Sequence, residues 1–116
     1  QILLCKSTSP GMIIYHIGGG SWRGVSLTGH SGTDWFVWAL TWSQSEDEVC
    51  VYENGVQQYS RDEIGAWAGG LGALQVGAYR PGVGQSATNS WHGAIGPVAL
   101  WSRALSADEI ALLSEV

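Results

Sequence analysis

Charge is what this sequence has least of. Asp, Glu, Lys and Arg supply 13% of its 116 residues, about half the usual share of roughly 25%. The basic residues are Lys6, Arg23, Arg61, Arg80 and Arg103, scattered singly. With no basic patch to track a phosphate backbone, nucleic acid is not an expected partner. Ten acidic residues leave a net charge of -5. No apolar run approaches the eighteen or so residues that span a bilayer, so no membrane span is expected. No secretory leader pattern is visible. The chain opens at Gln1 rather than Met, which leads us to expect a processed, trimmed or internal piece.

Cysteine is nearly as scarce: Cys5 and Cys50 only, with no C-x-x-C and no His at zinc-ligand spacing. Two arrangements stay open for them. One is a cross-strand disulfide; the other, favoured by their apolar neighbours, is a pair of buried thiols. An EF-hand-like acidic ladder is also missing. His16 sits in an apolar run and His30 and His92 lie in or beside glycine-rich segments, with no suggestion of a Ser-His-Asp set.

What is present in quantity is apolar surface (45%), glycine (17 residues) and tryptophan (7 residues). Short apolar runs separated by turn residues point to an all-β protein, and 116 residues to one domain. The central segment is Trp35 to Tyr59. Phe36, Trp38, Leu40 and Trp42 share one face of a strand spanning Trp35 to Trp42, because successive side chains alternate. Trp35, Val37, Ala39 and Thr41 share the other. A polar break from Ser43 to Glu48 precedes a strand at Val49 to Tyr52. Asn54-Gly55 then accepts the positive φ angles of a type I′ turn, and a strand at Val56 to Tyr59 completes a meander. The large-aromatic face is the one expected to need covering.

Before it, strands are expected at Ile2 to Lys6, Met12 to Ile17 and Trp22 to Leu27. The second is apolar on both faces and so central in its sheet. After it, a long connection from Ser60 to Leu71 leads to strands at Ala73 to Tyr79 and Trp91 to Trp101. Pro97 makes the last an edge or bulged strand. Ser106-Ala107-Asp108-Glu109 is a capping box, and Ile110, Leu112 and Leu113 follow at near-helical spacing, so one short helix closes the chain.

These residues resemble a known family. Trp35, Trp38, Ala39, Thr41, Trp42, Val49, Val51, Tyr52, Asn54 and Gly55 are similar to the "W-x-x-V-A-x-T-Y-D … V-x-L-Y-V-N-G" segment of laminin G-like domains, concanavalin A-like jelly rolls that include the pentraxins. Leu74 to Gly77 resembles their "L-x-I-G" strand, and Trp91 to Ile95 their "F-x-G-x-I". Val98 to Ile110 resembles "V-R-I-Y-N-R-A-L-S-A-E-E-I". The resemblance covers most of residues 35 to 113. It implies a two-sheet antiparallel jelly-roll sandwich of about eight strands with one C-terminal helix, a single domain over residues 1–116. Two departures accompany it: Gly96 and Pro97 stand where the family carries acidic residues, and the family's first strands have no counterpart. A sheet edge left open in this way predicts self-association or a partner chain.

The resemblance implies a non-catalytic module at a virion, cell or extracellular surface that binds carbohydrate or glycoprotein; the alternative is a structural, oligomerising module. Sugars stack on aromatic rings. Trp22, Trp67 and Trp91 lie near loops with His30, Asn89 and His92 available to hydrogen-bond hydroxyls. The same rings equally suit a sandwich end or an interface. Asp34 and Asn89 are candidate calcium ligands, against the plainer reading of Asp34 as a turn residue. Glycan-cleaving relatives use carboxylates arranged as E-x-D-x-x-E on a strand. Glu46-Asp47-Glu48, the only dense acidic cluster, lies instead in an expected solvated turn, so catalysis is not expected.

Overall fold

The computed structural model describes residues 2–6, 12–17, 23–26, 35–62, 76–77 and 93–115, the first three segments by backbone course and pairing. The chain divides into one unit of Gln1–Gly69 with Trp101–Val116 and a second of Gly70–Leu100.

In the first unit, β1 (Ile2–Lys6), β2 (Met12–Ile17) and β3 (Arg23–Ser26) form an antiparallel sheet in the order β1-β2-β3. The strand with apolar residues at every position but His16 is the central one. Leu3 stands opposite His16 on one side, and Ile14 lies between Cys5 and Gly24. The third strand is described over Arg23–Ser26, and Trp22 and Leu27, the ends expected for it, lie outside the described residues.

The second sheet is the predicted meander: β4 (Trp38–Ser43), β5 (Glu48–Glu53) and β6 (Val56–Asp62), in that order and antiparallel. Asn54 and Gly55 take φ angles of 49° and 80°, the pair of positive values that a type I′ turn requires. The other hairpin closes through residues 44–47, where the Asp47 amide donates to the Gln44 carbonyl at 3.3 Å and Asp47 itself takes φ 52°. Two boundaries differ from expectation. β4 begins at Trp38, not Trp35, because its partner ends at Glu53. Beyond that point the Val37 amide donates to Asn54 Oδ1 at 2.9 Å, and the Asn54 amide donates to the Val37 carbonyl at 2.9 Å. β6 runs on to Asp62 because Ser60, Arg61 and Asp62 continue opposite Cys50, Val49 and Glu48. A bulge makes this register: Gln57 faces Tyr52 and Tyr59 faces Val51, leaving Gln58 as the extra residue.

Both faces of the meander hold buried residues, and the helix lies on the one with the smaller side chains of β4. Ala39 pairs with Tyr52 and Thr41 with Cys50, and Leu105 and Ile110 pack onto that side to form a buried cluster with Cys50 and Tyr52. Small side chains on β4 leave room for a helix; the indole rings of Trp38 and Trp42 would not. On the opposite face Val49 and Val51 are also fully buried, while Trp38, Leu40 and Trp42 are only half-buried. There the Phe36 and Trp38 rings meet at 4.7 Å, tilted by 49°. Cys50 is a buried free thiol, which settles the cysteine alternatives against a disulfide.

The helix α1 (Ala107–Leu113) starts as the sequence dictates. The Glu109 amide donates to Ser106 Oγ at 3.3 Å and the Ser106 amide donates to Glu109 Oε2 at 2.8 Å, which completes the capping box. Ile110 alone carries the helix into the core, a burial worth roughly 1.5–3 kcal/mol. Leu112 and Leu113, expected on the same face, are 67% and 52% exposed. The last turn rests on the β5–β6 hairpin: a Cβ on Gly55 would stand 3.0 Å from Ala111 Cα and 3.2 Å from Ser114 Cβ.

The two later strands are not formed where they are described. In the second unit, Val76 is outside any strand and Gly77, at φ 84°, turns the backbone out of the extended region. Residues 93–101 are likewise exposed and outside any ladder, and Pro97 among them has no N–H to give one.

Gly55 therefore answers two demands, a left-handed backbone and a close approach. Gly55→Ala is expected to lower unfolding stability by at least about 1–2 kcal/mol, with a matching loss of helix signal, read by urea denaturation followed by circular dichroism.

Candidate functional site

All the residues singled out from the sequence as ligand contacts, Trp22, His30, Asp34, Trp67, Asn89, Trp91 and His92, lie outside the described residues. Among the described residues the concave feature is a groove of about 360 Å³ in the first unit, between the β4–β6 meander and the segment leading into α1. Its floor is the covered face of the meander. Thr41, Cys50 and Tyr52 share that face by strand alternation, and all three are more than nine-tenths buried. The meander wall adds Ser43, Glu48 and Gln57; Arg103, Ser106 and Glu109 form the wall across from it. Gln57 reaches the groove because the hairpin register sets it opposite Tyr52.

The floor is polar despite its burial. Burial, then the charge of Glu48, pushes the Cys50 thiol up from its ordinary value; hydrogen bonds with Tyr52 and Thr41 pull it the other way. Burial likewise raises the Tyr52 phenol, followed by the neighbouring Cys50, against a hydrogen bond with Thr41. Cys50 and Tyr52 belong at the same time to the buried cluster with Leu105 and Ile110. With both ionisable members held neutral at physiological pH, they present hydroxyl and thiol groups, not charge.

The opposite wall is fixed by an ion pair. Arg103 Nη1 donates to Glu109 Oε2 at 2.8 Å and Nη2 to Glu109 Oε1 at 2.6 Å, a bidentate fork. Nη1 also donates to the Ala104 carbonyl at 3.3 Å. Glu109 therefore joins the connecting segment to the helix while also closing the capping box. The Arg103 hydrogen bonds, then that from the Ser106 amide, hold its carboxyl at about 2; the same pairing raises Arg103. The sequence had shown Ser106 and Glu109 as a helix start only. Arg103, three residues ahead of the cap, was the available sign of a second role.

Glu46 is exposed in the turn at 44–47, as expected of a solvated break, and Glu48 follows it on β5 at the groove. Among the described residues no group of three or more His, Cys, Asp or Glu side chains is placed to hold a metal ion, and no helix is long and apolar enough to cross a membrane.

The Glu109 carboxyl gives a pH dependence of known sign. Its folded value lies below the ordinary 4.5, so its stabilising contribution is complete above about pH 4.5 and is lost as pH falls toward 2. Thermal melting followed at 222 nm should show the helix loosening in that window in the native chain. Glu109→Gln should be less stable at pH 7 and lack that acid-induced step.

Residues 3–111 match the sequence pattern of the laminin G-type family described as the concanavalin A-like lectin/glucanases superfamily. No curated protein sequence matches the chain significantly. The fold is similar to a crystal structure of an S-layer domain-containing protein (residues 221–444) from Clostridium thermocellum ATCC 27405, with a TM-score of 0.56 and 19% identity. That match takes in 98% of this chain and 63% of the other, so the chain spans less than two thirds of the structure it resembles. Six antiparallel strands and a capped helix among the described residues, and a family match over residues 3–111, lead to one conclusion: this chain belongs to the laminin G-type family of concanavalin A-like lectin/glucanase domains.

Proposed function

We propose that residues 1–116 form a single jelly-roll domain that acts as a non-catalytic binding module for carbohydrate or glycoprotein at a cell or extracellular surface. The observation that carries this reading is the family match over residues 3–111, whose superfamily is described by its lectins and glucanases. The two three-stranded antiparallel sheets suit the two layers of such a sandwich. The similarity in fold to a domain of an S-layer protein is in keeping with a surface location. Trp22, Trp67 and Trp91, with His30, Asn89 and His92, are the side chains we assign to ligand contact, and Asp34 and Asn89 those we assign to calcium if the site uses it. Binding on an immobilised glycan panel should exceed background, and Trp22→Ala and Trp67→Ala should each weaken it several-fold with the far-ultraviolet spectrum unchanged. Unaltered binding in both variants would remove these residues from the site.

A second reading, assembly through uncovered surface, has its own observation. Ile95, Val98 and Leu100 are about half exposed within one short segment, and apolar surface concentrated in this way marks contact sites. On that reading light scattering over a dilution series returns a persistent oligomer; a mass of 12.4 kDa at every concentration would remove it.

A further inference from the structure

Asn54 and Gly55 shape the β5–β6 hairpin, and the same two residues form a reactive pair. The side-chain carbonyl carbon of an asparagine lies within ring-closing reach of the next backbone nitrogen. A glycine at that next position leaves the nitrogen unscreened, since it has no side chain of its own. Asn54 is exposed and Gly55 half-buried. In this turn the pairing runs between the flanking residues Glu53 and Val56. Among the described residues neither the Gly55 N–H nor Asn54 Nδ2 makes a hydrogen bond. The nucleophile and the leaving group are therefore both open to solvent.

The carbonyl between them is held differently. Asn54 Oδ1 accepts from the Val37 amide at 2.9 Å, while the Asn54 amide donates to the Val37 carbonyl at 2.9 Å. Attack on the side-chain carbon would place negative charge on that same Oδ1. A fixed backbone N–H about 2.7–3.1 Å from such an oxygen is the arrangement that stabilises the tetrahedral intermediate of acyl transfer. The clamp that starts β4 thus also polarises the bond to be attacked.

We propose that Asn54–Gly55 is a self-modification site, at which the folded chain converts Asn54 to aspartate and isoaspartate with water and hydroxide as the sole co-reactants. The Gly55 nitrogen gives its proton to hydroxide and bonds to Asn54 Cγ. The Cγ–Nδ2 bond then breaks, and Nδ2 leaves as ammonia with a proton from water. Water opens the resulting cyclic imide at either carbonyl. Opening at Cγ gives aspartate, with the main chain unaltered and an oxygen still available to the Val37 amide. Opening at the backbone carbonyl gives isoaspartate, in which the main chain runs through Cγ and is longer by a methylene carbon. That product cannot keep the two-residue turn between Glu53 and Val56. It also displaces Gly55 from its close approach to Ala111 and Ser114, so a change in the turn reaches the end of α1. None of the residues assigned to ligand contact takes part.

The test is incubation of the 116-residue chain at mildly alkaline pH, folded and in guanidinium chloride. Asn54 is followed by mass in the tryptic peptide Gly24–Arg61, where it is the sole asparagine. Isoaspartate is identified by electron-transfer fragmentation and by methylation with an isoaspartyl methyltransferase. Conversion in the folded chain should be within tenfold of that in denaturant and should rise with pH. Asn54 left intact in the folded chain while the unfolded chain converts fully would overturn the site. Val37→Pro, which lacks the donated N–H, should convert at least fivefold more slowly while folded; an unchanged rate would remove Val37 from the reaction. The isoaspartate form, separated by ion exchange, should melt at a lower temperature with a weaker helix signal. Asn54→Asp, with the same added charge on a normal main chain, should keep both, and equal stability of the two would overturn the link to the helix.

Discussion

The Asn54–Gly55 turn is the constraint on which the described part of the fold depends. Its two positive φ angles set the first pairs of β6 against β5, up to the bulge at Gln58. The Asn54 side chain and backbone together hold Val37, which fixes where β4 can begin. Gly55 offers the bare backbone against which the end of α1 lies. A hairpin turn is usually a local solution to reversing the chain. Here it also decides where a third strand starts and where a helix some fifty residues later comes to rest.

The helix is held from its other end by electrostatics. Seven residues are too few for a helix to persist alone in water, so α1 relies on Ile110 in the core and on a cap shared between Ser106, Glu109 and Arg103. Because Glu109 accepts from two residues outside the helix, the connecting segment and the first turn move as one piece. That piece supplies one wall of the groove, so the groove's width is tied to the helix start and not to a loop free to adjust.

Patterns with short range were legible in the sequence. The strand runs up to residue 62, the Asn-Gly turn and the capping box each declare themselves within a few residues, and among the described residues each is found within a few residues of where it was expected. The choice of covered face was not legible, because alternation shows which residues share a side but not which side receives the helix. The aromatic face is buried as well, at Val49 and Val51, but it is the side of Ala39 and Thr41 that receives the helix. Leu112 and Leu113 illustrate the same limit, since helical spacing alone does not show how wide a stripe the core will accept. Strand length failed where pairing is non-local: Trp35–Val37 outran their partner, and residues 93–101 formed no ladder despite an apolar sequence. The groove was missed because its walls come from segments far apart in the chain, and its charged members had complete local explanations as turn and cap.

The single extra residue on β6 has an effect on the groove that exceeds its size. Without the offset at Gln58, alternation would put Tyr59 opposite Cys50, its ring directed over the polar floor. With it, Tyr59 stands opposite Val51 and the small Ser60 takes the place beside Cys50. The parity of one strand therefore governs whether Tyr59 or the small Ser60 stands beside Cys50 on the face that Leu105 and Ile110 cover. A chain of the same composition with one residue fewer between Gln57 and Tyr59, pairing without the offset, would keep the fold's outline, and its side chains would meet Val51 and Cys50 in the same order. The bulge thus takes up Gln58 as an extra residue while keeping Tyr59 on the Val51 side of β5 and Ser60 beside Cys50.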